Sequence, residues 1–431
     1  MTAPTVPVVT ERHIDPAKID RLLARVRREV DEGLSPATQV AIGYRGELLV
    51  DATFGAPDDS RFVAFSATKA LVAGAIWRLI DRGDVDLDAP CARYLPEFAT
   101  NGKDVVTVEQ VLTHTGGFPY APLGPPAWET RAGRLEAFAR WRLTLDPGAS
   151  FMYHPTAGHW VLGEIIAAVT DQGHADAIES LVTGPLGLPR LLGIAVEDQA
   201  GIVDAVGVGD VPTPEEMEAT FGVAVDLSAL IPPDVALGAL LTLNEPSARA
   251  LGVPGGGGVM RAGDLALLYQ AFLHDPADLW SPEILAAGTR DIRVTFTDMM
   301  GVPANRSLGL IVAGDAHTHG NHGIHAGQVH LAAPLPLEHV AVMPLIGVDR
   351  AAAGRCKLQS GLGLTALGLL RLQGRLPLIL GVDLAGQGQR LDALPALGLE
   401  QAHLGIAAVL PLVLGLAVLV AGCTVRVDGS R

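Results

Sequence analysis

The chain has 431 residues, 49% hydrophobic and 18% charged. That supplies a large core and excludes a mainly disordered chain or a small disulfide scaffold. A net charge of −16 repels phosphate backbones, so nucleic-acid binding is not expected.

Residues 16–33 carry Ile19, Leu22, Leu23, Val26 and Val30 at helical spacing and end at Gly33. Residues 38–44 and 47–54 are β-rich and flank Arg45-Gly46, which predicts a hairpin. A helix is expected from about Ser66 to Leu79, stopped by Gly83. From about 84 to 290 the pattern is mostly helical, with helices predicted over 107–113, 131–141, 156–170, 174–182, 263–273 and 282–287. The run Gly255–Gly258 reads as a loop before one of them. Strand-like segments return at 307–313, 326–332 and 338–346. Strands at both ends with helices between predict an α+β fold: one antiparallel sheet built from both chain ends, flanked by helices, with an all-α insertion. No internal repeat is visible.

Residues 351–431 differ in composition, being rich in Leu, Gly and Ala. Leu404–Cys423 carries no charge and is long enough to span a bilayer; a buried core helix is the competing reading, and Pro411 weakens either. Cys91, Cys356 and Cys423 have no metal-ligand or redox spacing. Sparse cysteines and a polar Met1–Asp15 with no apolar run predict a cytoplasmic chain, membrane-associated if 404–423 acts as a span. Nothing in the sequence fixes the oligomeric state.

Three segments could carry chemistry. In Phe65-Ser66-Ala67-Thr68-Lys69-Ala70, one helical turn puts Lys69 beside the Ser66 hydroxyl. Serine is a weak nucleophile until a base takes its proton, and a buried lysine amine can be that base. The bland alternative is an N-capping serine with an exposed lysine. Next, Tyr153-His154-Pro155 offers a phenol that could shuttle the serine proton, or simply a core tyrosine. Last, Asn321-His322-Gly323-Ile324-His325-Ala326-Gly327-Gln328 could place a backbone N–H toward an oxyanion, or be a glycine-rich loop. His317, His319, His322 and His325 beside Asp315 match no zinc spacing, so no metal site is assigned.

The order and flanks of these segments resemble the serine β-lactamase superfamily of penicillin-recognising enzymes, in its class C-like branch of esterases, D-aminopeptidases and β-lactamase-related hydrolases. Val111-Leu112-Thr113-His114-Thr115-Gly116-Gly117-Phe118 is similar to that branch's Leu-Leu-Thr-His-Thr-Ser-Gly-Leu segment. Gly184-Pro185-Leu186-Gly187-Leu188 and Pro254-Gly255-Gly256-Gly257, followed by Ala262-Gly263-Asp264-Leu265-Ala266, add to the likeness, which covers about residues 18–350. The third motif departs from the family's Lys-Thr-Gly or His-x-Gly. His322, His325 or Asn321 could fill its first position; spacing to the next strand favours His322, with Ile324 where glycine is usual.

The resemblance implies a cleft between the sheet and the helical region, with Ser66 as nucleophile and Lys69 coupled to Tyr153 as base. The Ser66 N–H and a strand N–H near His325 would bind the oxyanion, with Gly323 beside it. His322 would orient substrate or tune Tyr153. No cofactor is implied. Histidine in place of lysine in the third motif favours short neutral esters, that is, a carboxylesterase acting on a small-molecule ester or amide. The alternatives are a β-lactamase or D-amino-acid peptidase, and a binding or scaffold module whose chemistry is impaired by Pro155 and Ile324.

Overall fold

The computed structural model describes residues 14–33, 35–207, 213–221, 224, 226, 237–297, 303–312, 324–325 and 340–344. Its strands are β1 (Thr38–Tyr44), β2 (Glu47–Phe54), β3 (Arg61–Val63), β4 (Ile202–Val203), β5 (Val259–Met260), β6 (Val294–Thr297), β7 (Pro303–Arg306), β8 (Ile311–Val312), β9 (Ile324–His325) and β10 (Val340–Pro344). β1 and β2 form the expected hairpin. Its two-residue turn, Arg45-Gly46, has positive φ at both positions, the backbone that matches strand twist. β10 pairs antiparallel with the other edge of β1, so one sheet is built from both ends of the described chain.

The period-two alternation of β1 sorts two helices onto the two faces of this sheet. Val40, Ile42 and Tyr44 share a core with Ile19 and Val26 of helix Pro16–Asp31. That helix starts at Asp15, whose carboxylate accepts from the Ala17 N–H, with Pro16 at its first position. Gln39, Ala41 and Gly43 face helix Ala262–His274. Ala41 packs on Ala262 and Ala266, and the Gln39 side chain accepts from the Ala262 N–H. A Cβ on Gly43 would stand 2.7 Å from the Gln270 side chain, so small residues on β1 allow this close approach.

The helical region packs around helix Thr68–Asp81. Leu71, Val72, Ala73, Ala75, Ile76, Trp77 and Leu79 are all buried, so the helix is enclosed on every side. Trp77, Phe272 and Trp280 fill the space between it and helices Ala262–His274 and Pro282–Thr289. The three-stranded sheet β4-β3-β5 leads the chain into the first turn of the enclosed helix. A third sheet runs β6-β7-β8-β9.

Several expectations are corrected. The predicted strand 307–313 is interrupted: Ser307 donates to the Gly288 carbonyl, Gly309 has φ +97°, and among its described residues only Ile311–Val312 pair as β8. The helix expected over 174–182 is α-helical only over His174–Ile178 and widens to a π-turn over Glu179–Thr183. The predicted strand 326–332 and the apolar run 404–423 lie outside the described residues. Among those described, no helix is long and apolar enough to cross a membrane.

Candidate active site

Ser66 sits in a 3-10 turn, Phe65–Ala67, that runs directly into helix Thr68–Asp81. Phe65 has φ +45°, an unusual conformation for a bulky residue and costly to hold. Three contacts fix the turn. The Ala64 N–H donates to the Gly258 carbonyl at 2.8 Å, the Gly258 N–H donates to Thr68 Oγ1 at 2.9 Å, and the Ala67 N–H closes on the Ala64 carbonyl. A Cβ on Gly258 would collide with Thr68 Oγ1 at 2.7 Å. The glycine run read as a loop is therefore a wall pressed against the Ser66 turn.

Lys69 is buried, whereas Ser66 and Tyr153 are half-buried. Its Nζ lies 3.2 Å from Ser66 Oγ and 2.6 Å from each of the Pro155 and Gly255 carbonyls. Both carbonyls can only accept, so they take two of the amine's protons. The remaining position on Nζ faces Ser66 Oγ. A proton can then pass between the two atoms without the lysine side chain rotating. No pattern of side-chain types points to the two carbonyls. Pro155 has no N–H and no polar side chain, yet its carbonyl is one of the amine's partners.

Lys69 Nζ also lies over the Tyr153 ring, 5.2 Å from its centroid. Ser66, Lys69 and Tyr153 are thus brought together. Beneath Tyr153 lie three buried histidines that the sequence did not single out for chemistry: His114, His154 and His159. His154 Nε2 accepts from the Phe118 N–H and Nδ1 donates to the Met152 carbonyl, which fixes a neutral tautomer. Burial pushes its pKa down to about 4, against the Met152 hydrogen bond, and the Lys69 charge adds to the fall. Burial also holds His114 and His159 well below the usual imidazole range, helped by nearby cations: Arg306 and Lys69 for His114, Lys69 for His159. His114 and His154 fall in two of the segments singled out in the sequence, but no spacing joins either to the other or to His159, and the fold gathers all three.

Nearby, Glu164 is fully buried and accepts from Arg134 Nε at 2.5 Å and Arg131 Nε at 3.1 Å, while Arg134 also donates to the Trp128 carbonyl. This buried pair ties helix Arg131–Arg140 to helix Ala157–Thr170, which follows the Tyr153 loop.

His322 and Gly323 lie outside the described residues, as do His317, His319 and Asp315. His325 is described only as backbone in β9, paired with Ile311 of β8. Among the described residues no group of three or more His, Cys, Asp or Glu could hold a metal ion.

A model of the Beta-lactamase family matches residues 23–335. Among curated proteins, the chain is 34% identical over 165 residues to Esterase EstB of Burkholderia gladioli, covering 33% of this chain and 42% of that protein. It is 49% identical over 59 residues to Esterase/beta-lactamase LipL of Mycobacterium tuberculosis, 14% of each chain. The matches thus span less than half the length of these relatives. Among solved structures, the fold is similar to a penicillin-binding protein homolog from Caulobacter crescentus, with TM-score 0.60, 22% identity, and coverage of 78% of this chain and 92% of that one. It is also similar to a family VIII carboxylesterase, with TM-score 0.59, 20% identity, and coverage of 77% and 92%.

Proposed function

The chain belongs to the Beta-lactamase family, and on that premise we propose that it is a serine hydrolase, a carboxylesterase acting through an acyl-serine intermediate. One observation carries the reading: a buried lysine amine held by two carbonyls with its remaining position against Ser66 Oγ. The hydrolase domain spans about residues 18–350.

Ser66 Oγ attacks the carbonyl carbon of an ester, and its proton passes to Lys69 Nζ. The oxyanion is met by the Ser66 N–H and a strand N–H near His325, a kind of donor worth about 3–4 kcal/mol in the transition state. The proton returns to the leaving alkoxide by way of Tyr153, the C–O bond breaks, and the acyl group stays on Ser66. Water then attacks the acyl carbon while its proton passes by way of Tyr153 to the neutral Lys69 amine; the bond from Ser66 Oγ to the acyl carbon breaks, Lys69 returns the proton to Ser66 Oγ, and the acid leaves. His322 and Gly323 orient the substrate.

The esterase names of two relatives and the histidine-bearing third motif support short neutral esters as the substrate class. The impaired-module alternative rested partly on Pro155. Its carbonyl serves Lys69, which removes that ground. Turnover of p-nitrophenyl acetate by the full chain tests the proposal. Wild type should hydrolyse it and Ser66→Ala should lose nearly all activity, on the order of 10⁴-fold or more. A folded wild type without turnover, or an active Ser66→Ala, would defeat it.

A further inference from the structure

Helix Val108–Leu112 ends in a Schellman turn: the His114 N–H returns to the Val111 carbonyl and the Thr115 N–H to the Gln110 carbonyl. The turn needs a left-handed residue, usually glycine, at the position where His114 stands with φ +59°. A side chain there is strained by the approach of its Cβ to the following carbonyl oxygen. Strain of this kind persists where the side chain is needed.

The His114 side chain and backbone both grip the Tyr153 segment. The His114 carbonyl accepts from the Met152 N–H at 3.1 Å. Its Nδ1 accepts from the His154 N–H at 3.1 Å, so this nitrogen carries no proton. The imidazole lies tilted against the phenol ring, centroids 4.7 Å apart. One residue thus holds the backbone on both sides of Tyr153 and buttresses the ring between. Glycine would relieve the strain and keep only the carbonyl contact.

We propose that His114 is a positioning residue that aims Tyr153 at the Ser66–Lys69 pair, through the unprotonated Nδ1 that fixes the His154 N–H. It does not touch substrate. The inference rests on the role assigned to Tyr153 above and adds a reason for histidine at a glycine position.

The test uses His114→Asn, His114→Gln and Tyr153→Phe in the full chain, with kcat and KM for p-nitrophenyl acetate and a thermal midpoint for each. Asparagine tolerates left-handed backbone and offers an oxygen near the place of Nδ1, whereas glutamine carries its amide one carbon too far. We expect Asn to retain kcat within about threefold. Gln should lose on the order of 10- to 100-fold in kcat with KM little changed, as for a misaimed group. A fall of both variants in step with their thermal midpoints, or a Gln variant that is folded and fully active, would overturn the proposal. If Gln does not fold, a folded Asn variant with lost kcat overturns it, and one with retained kcat upholds it. Tyr153→Phe separates the two levels: full activity there removes the role of Tyr153 itself, whereas loss there beside a fully active His114→Gln removes only the positioning role.

Discussion

The Ser66 turn and the Tyr153 loop meet at one site but are built in opposite ways. Ser66 stands in the 3-10 turn Phe65–Ala67 and Lys69 in the first turn of the buried helix that continues it, three residues on, so their 3.2 Å separation comes with the local backbone. Tyr153 stands in a segment without regular structure and takes its place from side chains elsewhere: His114 on the flanking backbone and His154 bridging Met152 to Phe118. A pair of groups four positions apart or fewer can be aimed by local geometry, whereas a group from a distant loop needs borrowed anchors. The anchors here are neutral imidazoles, so the two halves of the site should respond differently to mutation and to acid.

The largest separation should come from the amine. Lys69→Met keeps the stem but removes the proton carrier and leaves the Pro155 and Gly255 carbonyls without their donor. Ester turnover should fall by about 10²–10⁴-fold. A variant within tenfold of wild type would place the base elsewhere.

Acid should act on the loop before the turn. In the folded protein His154 titrates near 4, and in the unfolded chain near the ordinary 6.5. Between those values the unfolded chain binds a proton that the native state does not. The stability associated with a neutral His154 is therefore complete above about pH 6.5 and is lost as pH falls toward 4, by about 3 kcal/mol at 1.36 kcal/mol per pH unit. His114 and His159 shift in the same direction and deepen the loss. Urea unfolding at pH 7, 5.5 and 4.5 checks this, and a flat stability profile across that range would contradict it.

The smallest effect concerns the wall behind the turn. Thr68→Val removes the acceptor of the buried Gly258 N–H and should cost about 1–3 kcal/mol of stability. Because Ser66 and Lys69 keep their local backbone, kcat should change less than in Lys69→Met. Equal losses in both variants would mean that the turn depends on the glycine wall as much as the loop depends on its histidines.

This contrast also explains what could be read from the sequence. The hairpin 38–54, the helix begun by Pro16 and the Ser66–Lys69 spacing are local patterns, and each is found in place. The closing of the sheet from both ends followed from strand order, and β10 pairs with β1 as expected. β3, β4 and β5 are two or three residues long, too short for a period-two signal. The strand predicted over 307–313 had the right composition, but a glycine at φ +97° bends it. The Pro155 and Gly255 carbonyls are invisible to any reading of side-chain types, and His114 meets His154 across forty positions of chain. Long-range contacts of that kind leave no period or spacing to detect.

The central claim is that the Ser66 oxygen becomes covalently bound to an acyl group. The direct measurement is peptide mass spectrometry of the full chain after treatment with a fluorophosphonate. The account predicts a single phosphonyl adduct on the peptide containing Ser66, absent from Ser66→Ala. An adduct on another serine, or none on a folded protein, would contradict it.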